Sequence, residues 1–192
     1  MRREEIPPRE ALGLLEPLPL CLVTTEVRGN PNVSTCAWVM PAGPEPPTIV
    51  ISLAPESQTR RNIENRGEFI LNIPGRDLAR EAAFCGSVSG SEVRKLKECA
   101  LRLEPGGKVR APILVDCIAH LECRAVEARG AGGNLLYTAE IVLAVARRDL
   151  FEPGRGWNLE NPDARFLLHL GGPCYASPDR IVEIDPQCRP AW

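Results

Sequence analysis

Ile118-Ala119-His120-Leu121-Glu122-Cys123-Arg124-Ala125 sets Ala119, Leu121, Cys123 and Ala125 on one face of an extended chain, with Ile118, His120, Glu122 and Arg124 on the other. Side chains alternate across a β-strand, so the pattern predicts a strand within Ile113 to Ala128. Gly130-Ala131-Gly132-Gly133-Asn134 then turns the chain, and Leu135 to Val145 returns as a second strand. A long hairpin of this kind commits this part of the chain to antiparallel pairing.

The N-terminal half repeats the signal. Leu18 to Thr25 is apolar and β-branched, Arg28-Gly29-Asn30 is a turn, and Asn32 to Met40 resumes as a strand. A proline-rich loop, Pro41 to Pro47, leads into the strand Thr48 to Leu53, and Phe69 to Ile73 is a further strand stopped by Pro74. Three helices are expected. The first covers Thr59 to Arg66, with Ser57 as N-cap and Gly67 just past its end. The second covers Leu78 to Cys85, capped by Asp77 and ended by Gly86, and the third covers Glu92 to Cys99, capped by Ser91. Strands outnumber helices and do not alternate regularly with them. The fold class is therefore mainly β with helical insertions, an antiparallel barrel rather than a doubly wound sheet. Without a repeat or low-complexity linker, residues 1–192 form one domain with its core at about 15–177. Ile181 to Ile184 suggests an edge strand near the C-terminus.

Composition narrows the function. A chain of 192 residues can bury roughly 70% of its unfolded surface, so it needs no disulfide or metal staple. The eight cysteines are scattered without a Cys-x-x-Cys pair and read as reduced, mostly buried small hydrophobes. A net charge of −2 gives no basic excess for nucleic acid or an anionic membrane surface. The longest apolar runs, such as Ile141 to Ala146, are far shorter than the ~20 residues of a membrane helix. Acids and prolines at the N-terminus replace the apolar core of a signal peptide, so a cytoplasmic protein is expected.

Neither Gly-x-Gly-x-x-Gly nor a P-loop occurs. Cys117, His120 and Cys123 invite a metal reading, yet on a strand residues 117 and 123 face away from 120, so no metal site is expected. Gly86-Ser87-Val88-Ser89-Gly90 only superficially resembles a nucleophile elbow, because the glycine spacing and the architecture are wrong. Two other segments carry more. Ser57-Gln58-Thr59-Arg60-Arg61-Asn62 opens a helix after a strand, and its free N–H groups, hydroxyls and guanidiniums suit a phosphate. Asn32-Val33-Ser34-Thr35-Cys36-Ala37-Trp38 sets small polar residues beside a tryptophan, which suits the edge and face of a planar heterocycle.

These segments, in this order, resemble the flavin reductase-like, FMN-binding split-barrel family, particularly its flavoredoxin branch. The resemblance extends through Leu22-Val23-Thr24-Thr25, Gly67-Glu68-Phe69-Ile70-Leu71-Asn72-Ile73-Pro74, Cys85 to Gly90, Ala111-Pro112-Ile113-Leu114 and His169-Leu170-Gly171-Gly172-Pro173-Cys174-Tyr175, covering roughly residues 18 to 175. It implies a Greek-key split β-barrel and a homodimer that binds FMN near the subunit interface. Asn32, Thr35 and Trp38, with the intervening Val33, Ser34 and Cys36, would line the ring. Ser52, Ser57, Thr59 and Asn62 would approach the ribityl chain and phosphate, and Lys95 would pair with the phosphate. Asn134 and His169 would lie near the ring, within one chain or across the dimer. The family often has an acid before that lysine and an aromatic after it, whereas this chain reads Arg94-Lys95-Leu96.

The activity implied is that of an NAD(P)H-dependent flavin reductase, with NADH or NADPH as electron donor and a free flavin, a ferric complex or an acceptor protein downstream. No catalytic side chain is expected, because the flavin carries the chemistry. Two alternatives remain open from sequence: a flavoredoxin-like electron carrier reduced by a partner protein, and a non-redox binding module.

Overall fold

The computed structural model describes residues 7–181, apart from residue 9. Seven strands make one sheet: β1 (Cys21–Val27), β2 (Asn30–Cys36), β3 (Val39–Pro44), β4 (Pro47–Leu53), β5 (Glu68–Ile73), β6 (Ala119–Ala131) and β7 (Asn134–Ala146). Their order is β2-β1-β5-β6-β7-β4-β3, and every neighbouring pair is antiparallel. Strand β4 lies beside β7 instead of β5, its successor in the chain, which is a Greek-key order. The sheet curls until the end of β2 reaches β4, where the Cys36 thiol lies 3.7 Å from the Ser52 carbonyl, while Ser52 N–H donates to the Trp38 carbonyl at 2.9 Å and so continues the β3–β4 ladder. No ladder joins β2 to β4 or to β3 among the described residues, so the barrel is split at the seam between β2 and the β3–β4 hairpin.

Alternation builds two cores from the same strands. Cys21 and Val23 of β1 face the barrel interior with Ile51, Phe69, Leu71, Cys123 and Tyr137. Leu20 and Leu22 face the opposite way, with Val33, Leu78, Ala82 and Cys85. The middle of β1 is thus buried on both faces, which explains its nearly continuous apolar run. Asn72 is buried there, donating to the Leu22 carbonyl and to Thr24 Oγ1 and accepting from Leu114 N–H, so the short strand Pro112–Leu114 is pinned across β1 and β5.

The first helix, α1 (Gln58–Arg66), matches expectation at both ends. Ser57 Oγ accepts from Arg60 N–H at 3.1 Å, and Gly67 adopts φ 69°, its N–H donating to the Ile63 carbonyl at 2.7 Å. The left-handed region favours glycine there because a Cβ is strained at that φ. Elsewhere the local boundaries differ. The second helix begins as a 3₁₀ turn (Arg76–Leu78) and continues as α2 (Ala79–Ser87), so Asp77 lies within the turn and Gly86 within the helix. The third, α3 (Lys95–Glu98), is a single turn whose cap position is Arg94, not Ser91. Pro41 to Pro47, expected as a loop, supplies β3 and the tight turn into β4, because prolines are tolerated on this edge strand. Residues 32–40 are not one strand: the ladder breaks at Ala37-Trp38 where the chain crosses the seam. Residues 113–128 are likewise divided, by a turn between Leu114 and Ala119. The hairpin tip is shorter than expected, with Gly132 and Gly133 alone at positive φ between β6 and β7. The edge strand suggested for Ile181 to Ile184 lies outside the described residues beyond Ile181. Among the described residues no helix is long and apolar enough to cross a membrane.

Glu122 keeps to the alternation, yet its face of the sheet is covered. Its side chain is buried beside Cys123 on the opposite face, and its carboxylate accepts from the N–H groups of Gly107, Lys108 and Val109. A carboxylate that organises three consecutive backbone donors anchors the 106–110 loop over β5 and β6.

Candidate functional site

The seam between β2 and β4 opens into a cleft of about 480 Å³. Strand β2 contributes Asn32, Ser34, Thr35 and Cys36, and the crossing adds Ala37 and Trp38. Ser52 is the penultimate residue of β4, Ser57 caps α1 and Thr59 lies in its first turn, and Lys95 opens α3. Asn134 reaches in from the β6–β7 tip and His169 from the short strand Leu168–His169.

The cleft is rich in donors. Lys95 is only 5% exposed, and its ammonium group has one partner among the described residues, the Cys85 carbonyl at 2.6 Å. Burial pushes its pKa below the ordinary lysine value, partly offset by the nearby Cys85 and Cys99 thiols. Thr59 Oγ1 accepts from Asn32 Nδ2 at 3.0 Å, which leaves the hydroxyl proton available to a ligand. Ser57 Oγ, already accepting from Arg60 N–H, is in the same position, and the first-turn N–H groups of Gln58 and Thr59 have no carbonyl inside the helix. Asn134 Nδ2 donates to Ser52 Oγ at 3.0 Å, and Trp38 stands 47% exposed at the crossing. Cys36 hydrogen-bonds through its thiol to the Trp38 and Ser52 carbonyls, and burial pushes its pKa up to about 11, so it stays a neutral thiol.

Eleven of the thirteen residues singled out from sequence line this cleft. Val33 does not: its side chain points the other way, into the core beneath α2, as the period of two requires for a neighbour of Asn32 and Ser34. Asn62 lies one helical turn behind the cleft, accepting from Gln58 Nε2 at 2.7 Å and donating to Thr25 Oγ1 at 2.9 Å. It braces Gln58, which does line the cleft. Asn134 and His169 reach the cleft of their own chain.

Gly90 and Glu16 carry roles that sequence reasoning missed. A Cβ on Gly90 would fall 1.9 Å from Asn32 Oδ1, so only glycine lets the 89–90 turn pack on the amide that holds Thr59. On the resemblance to FMN-binding barrels, the Gly90→Ala substitution is expected to displace Asn32 and weaken FMN binding at least tenfold, read by titrating FMN fluorescence against the wild type. Glu16 Oε1 lies 3.8 Å from His169 Nδ1, while Nε2 of the ring is 3.1 Å from the Gly172 carbonyl. Neither role has a local pattern, since both arise from approaches between distant segments.

The architecture is that of a split-barrel protein with a cleft at the seam, lined by a buried lysine, several hydroxyl and amide groups and an exposed tryptophan. The chain belongs to the flavin reductase like domain family, whose model matches residues 15–168. It is 31% identical over 165 residues to an uncharacterized protein of Archaeoglobus fulgidus, covering 83% of this chain and 89% of that protein. It is 26% identical over 131 residues to the flavin reductase (NADH) of Kitasatospora aureofaciens, covering 67% of this chain and 65% of that one. Among solved structures, flavoredoxin of Desulfovibrio vulgaris superposes with a TM-score of 0.79 at 24% identity, covering 89% of this chain and 92% of that one. An FMN-binding protein of Thermus thermophilus gives a TM-score of 0.81 at 20% identity, covering 96% and 98%.

Proposed function

We propose that this chain binds FMN in the seam cleft and acts as an NAD(P)H-dependent flavin reductase-type oxidoreductase, a homodimer working in the cytoplasm. The observation that carries the reading is Lys95, a buried ammonium with a single carbonyl partner beside hydroxyls whose protons are unclaimed. Such a group fits a phosphate dianion, which would supply the missing acceptors. Lys95, Thr59 and Ser57 would hold the phosphate, Ser52 and Asn134 the ribityl chain, and Trp38 with the β2 backbone the ring. FMN would supply the hydride-accepting chemistry, so the protein's part is to bind, orient and desolvate. The neutral Cys36 thiol suits packing at that position and takes no part in electron transfer. The similarity to a flavin reductase (NADH) supports NADH as donor, and the electron acceptor would be a free flavin, a ferric complex or a protein.

The test begins with incubation with FMN, removal of free ligand and a visible spectrum. A structured flavin band retained by the protein and bleached anaerobically by NADH or NADPH is the expected result. A colourless protein would sink the cofactor assignment and favour a binding module. A retained flavin that neither nucleotide reduces would overturn the reductase reading in favour of an electron carrier served by a partner protein.

A further inference from the structure

Lys95 is flanked by two thiols to which the proposed function gives no task. Cys85 lies in the last turn of α2, and its carbonyl is the partner of the Lys95 ammonium. Cys99 caps the end of α3, its N–H donating to the Lys95 carbonyl at 2.9 Å. Both side chains pack into one apolar cluster, where the two thiols hydrogen-bond to each other. Cys85 is buried and Cys99 is partly exposed. Glu81, one helical turn before Cys85, bears on both thiols and forms no ion pair among the described residues. Its Oε2 is buried without a hydrogen-bond partner. An acceptor oxygen left free beside two S–H groups is placed to receive a proton from one of them.

We propose that Cys85 and Cys99 form a dithiol site that a low-molecular-weight disulfide, such as oxidised glutathione, converts to an intramolecular disulfide, and that closing it fixes the helix bearing Lys95. A disulfide needs Cβ atoms about 3.5–4.5 Å apart, and two sulfurs already in contact lie within a small adjustment of that. The roles follow from exposure. Burial pushes the Cys85 pKa up to about 12, with the Cys99 thiol adding to it, so the attack on the small disulfide falls to Cys99. The Cys99 thiol gives its proton to water, and its sulfur bonds to one half of the small disulfide while the other half leaves as a thiolate and is protonated. Cys85 then gives its proton to Glu81, and its sulfur displaces the second half from Cys99. Two S–H bonds and one S–S bond are broken, one S–S bond is made in the protein, and two small thiols leave with the two electrons. The consequence for Lys95 lies in α3, a single turn without a side-chain cap. So short a helix does not hold its own shape. A bond from its C-terminal cap to α2 orders it before a ligand arrives, and ordering in advance raises affinity. The gain in flavin affinity rests on the FMN reading above.

The experiment treats the full-length flavin-free protein with oxidised glutathione, removes the reagent, and maps disulfides by mass spectrometry of a non-reducing digest. The expected product is a peptide pair joined through Cys85 and Cys99 that dithiothreitol separates. Its thermal midpoint is expected to exceed that of the reduced protein, and its FMN affinity, by fluorescence titration, to rise about fivefold. Cys99→Ala, a change at a partly exposed position, is expected to show neither shift on the same treatment. Failure of the two sulfurs to join would overturn the proposal, and so would pairing of Cys85 with Cys117, the other thiol packed on the cluster. A mapped Cys85–Cys99 bond that leaves FMN affinity unchanged or lower would overturn the coupling to Lys95. Absence of FMN binding in both redox states would remove the FMN reading instead, with the dithiol site then standing on the mapped bond and the raised midpoint.

Discussion

Lys95→Met is expected to lower FMN affinity about 100-fold while leaving the thermal midpoint of the flavin-free protein unchanged or raised. The two halves of this result have one cause. A charge-assisted hydrogen bond to a phosphate contributes about 1.5–3 kcal/mol, and each 1.4 kcal/mol is tenfold in affinity. The same ammonium, without the phosphate, is buried against a single carbonyl, and a charge taken out of water with so little compensation opposes folding. Methionine fills much the same space without the charge. Burial holds the Lys95 pKa below its ordinary value, so the folded flavin-free chain binds that proton less tightly than the unfolded chain. Stability of the flavin-free protein therefore rises with pH as Lys95 deprotonates, from its lowered folded pKa up to the ordinary lysine range. Flavin affinity moves the opposite way, full below the folded pKa and lost as pH climbs through it. Denaturation midpoints and flavin titrations across alkaline pH, for wild type and Lys95→Met, check both signs. A midpoint that drops with Lys95→Met would show that the lysine is a structural element and would undo the assignment.

Glu122→Ala is expected to destabilise the protein by about 3 kcal/mol or more, because the N–H groups of Gly107, Lys108 and Val109 lose their acceptor. For a domain of this size that corresponds to roughly 6–12 °C in thermal midpoint. The loop is tightly turned there: a Cβ added at Gly106 would fall 2.6 and 2.7 Å from the Val109 and Ala111 carbonyl oxygens. Since the 106–110 loop does not line the cleft, the folded variant should bind FMN with wild-type affinity. Calorimetry beside a flavin titration separates the two effects. Loss of flavin affinity in the folded variant would mean that the loop acts on the cleft through the sheet.

These two residues mark what the sequence made legible. Lys95 was placed by the order of segments around it, and the resemblance carried its role, although α3 turned out to be one turn where the pattern suggested two. The part of the cleft at the start of α1 is legible because a cap, two hydroxyls and a helix start are local features. Glu122 was not readable: alternation assigns it to one face correctly, but only the return of residues 106–110 from elsewhere in the chain buries that face. Val33 failed for a related reason, since a motif quoted as a continuous stretch includes every second side chain that a strand sends the other way. The break at Ala37-Trp38 was hidden because the chain crosses the seam without a glycine or proline to announce it. Gly90 sits in a glycine- and serine-rich stretch whose composition says turn, and only the neighbouring Asn32 makes it indispensable.

The Greek-key order also determines when, during synthesis, the cleft can exist. The Asn134–Ser52 hydrogen bond joins residues 82 positions apart, and β7 must insert between β6 and β4 before that bond forms. A nascent chain that has emerged only as far as α2 carries Thr59 and Trp38 but neither Lys95 nor Asn134. Contacts of such long range are among the slower ones to form. A ligand that recognises the finished seam therefore selects completed molecules, and by mass action it holds them against local opening. In a cell the supply of flavin would then govern how much of the newly made protein survives quality control.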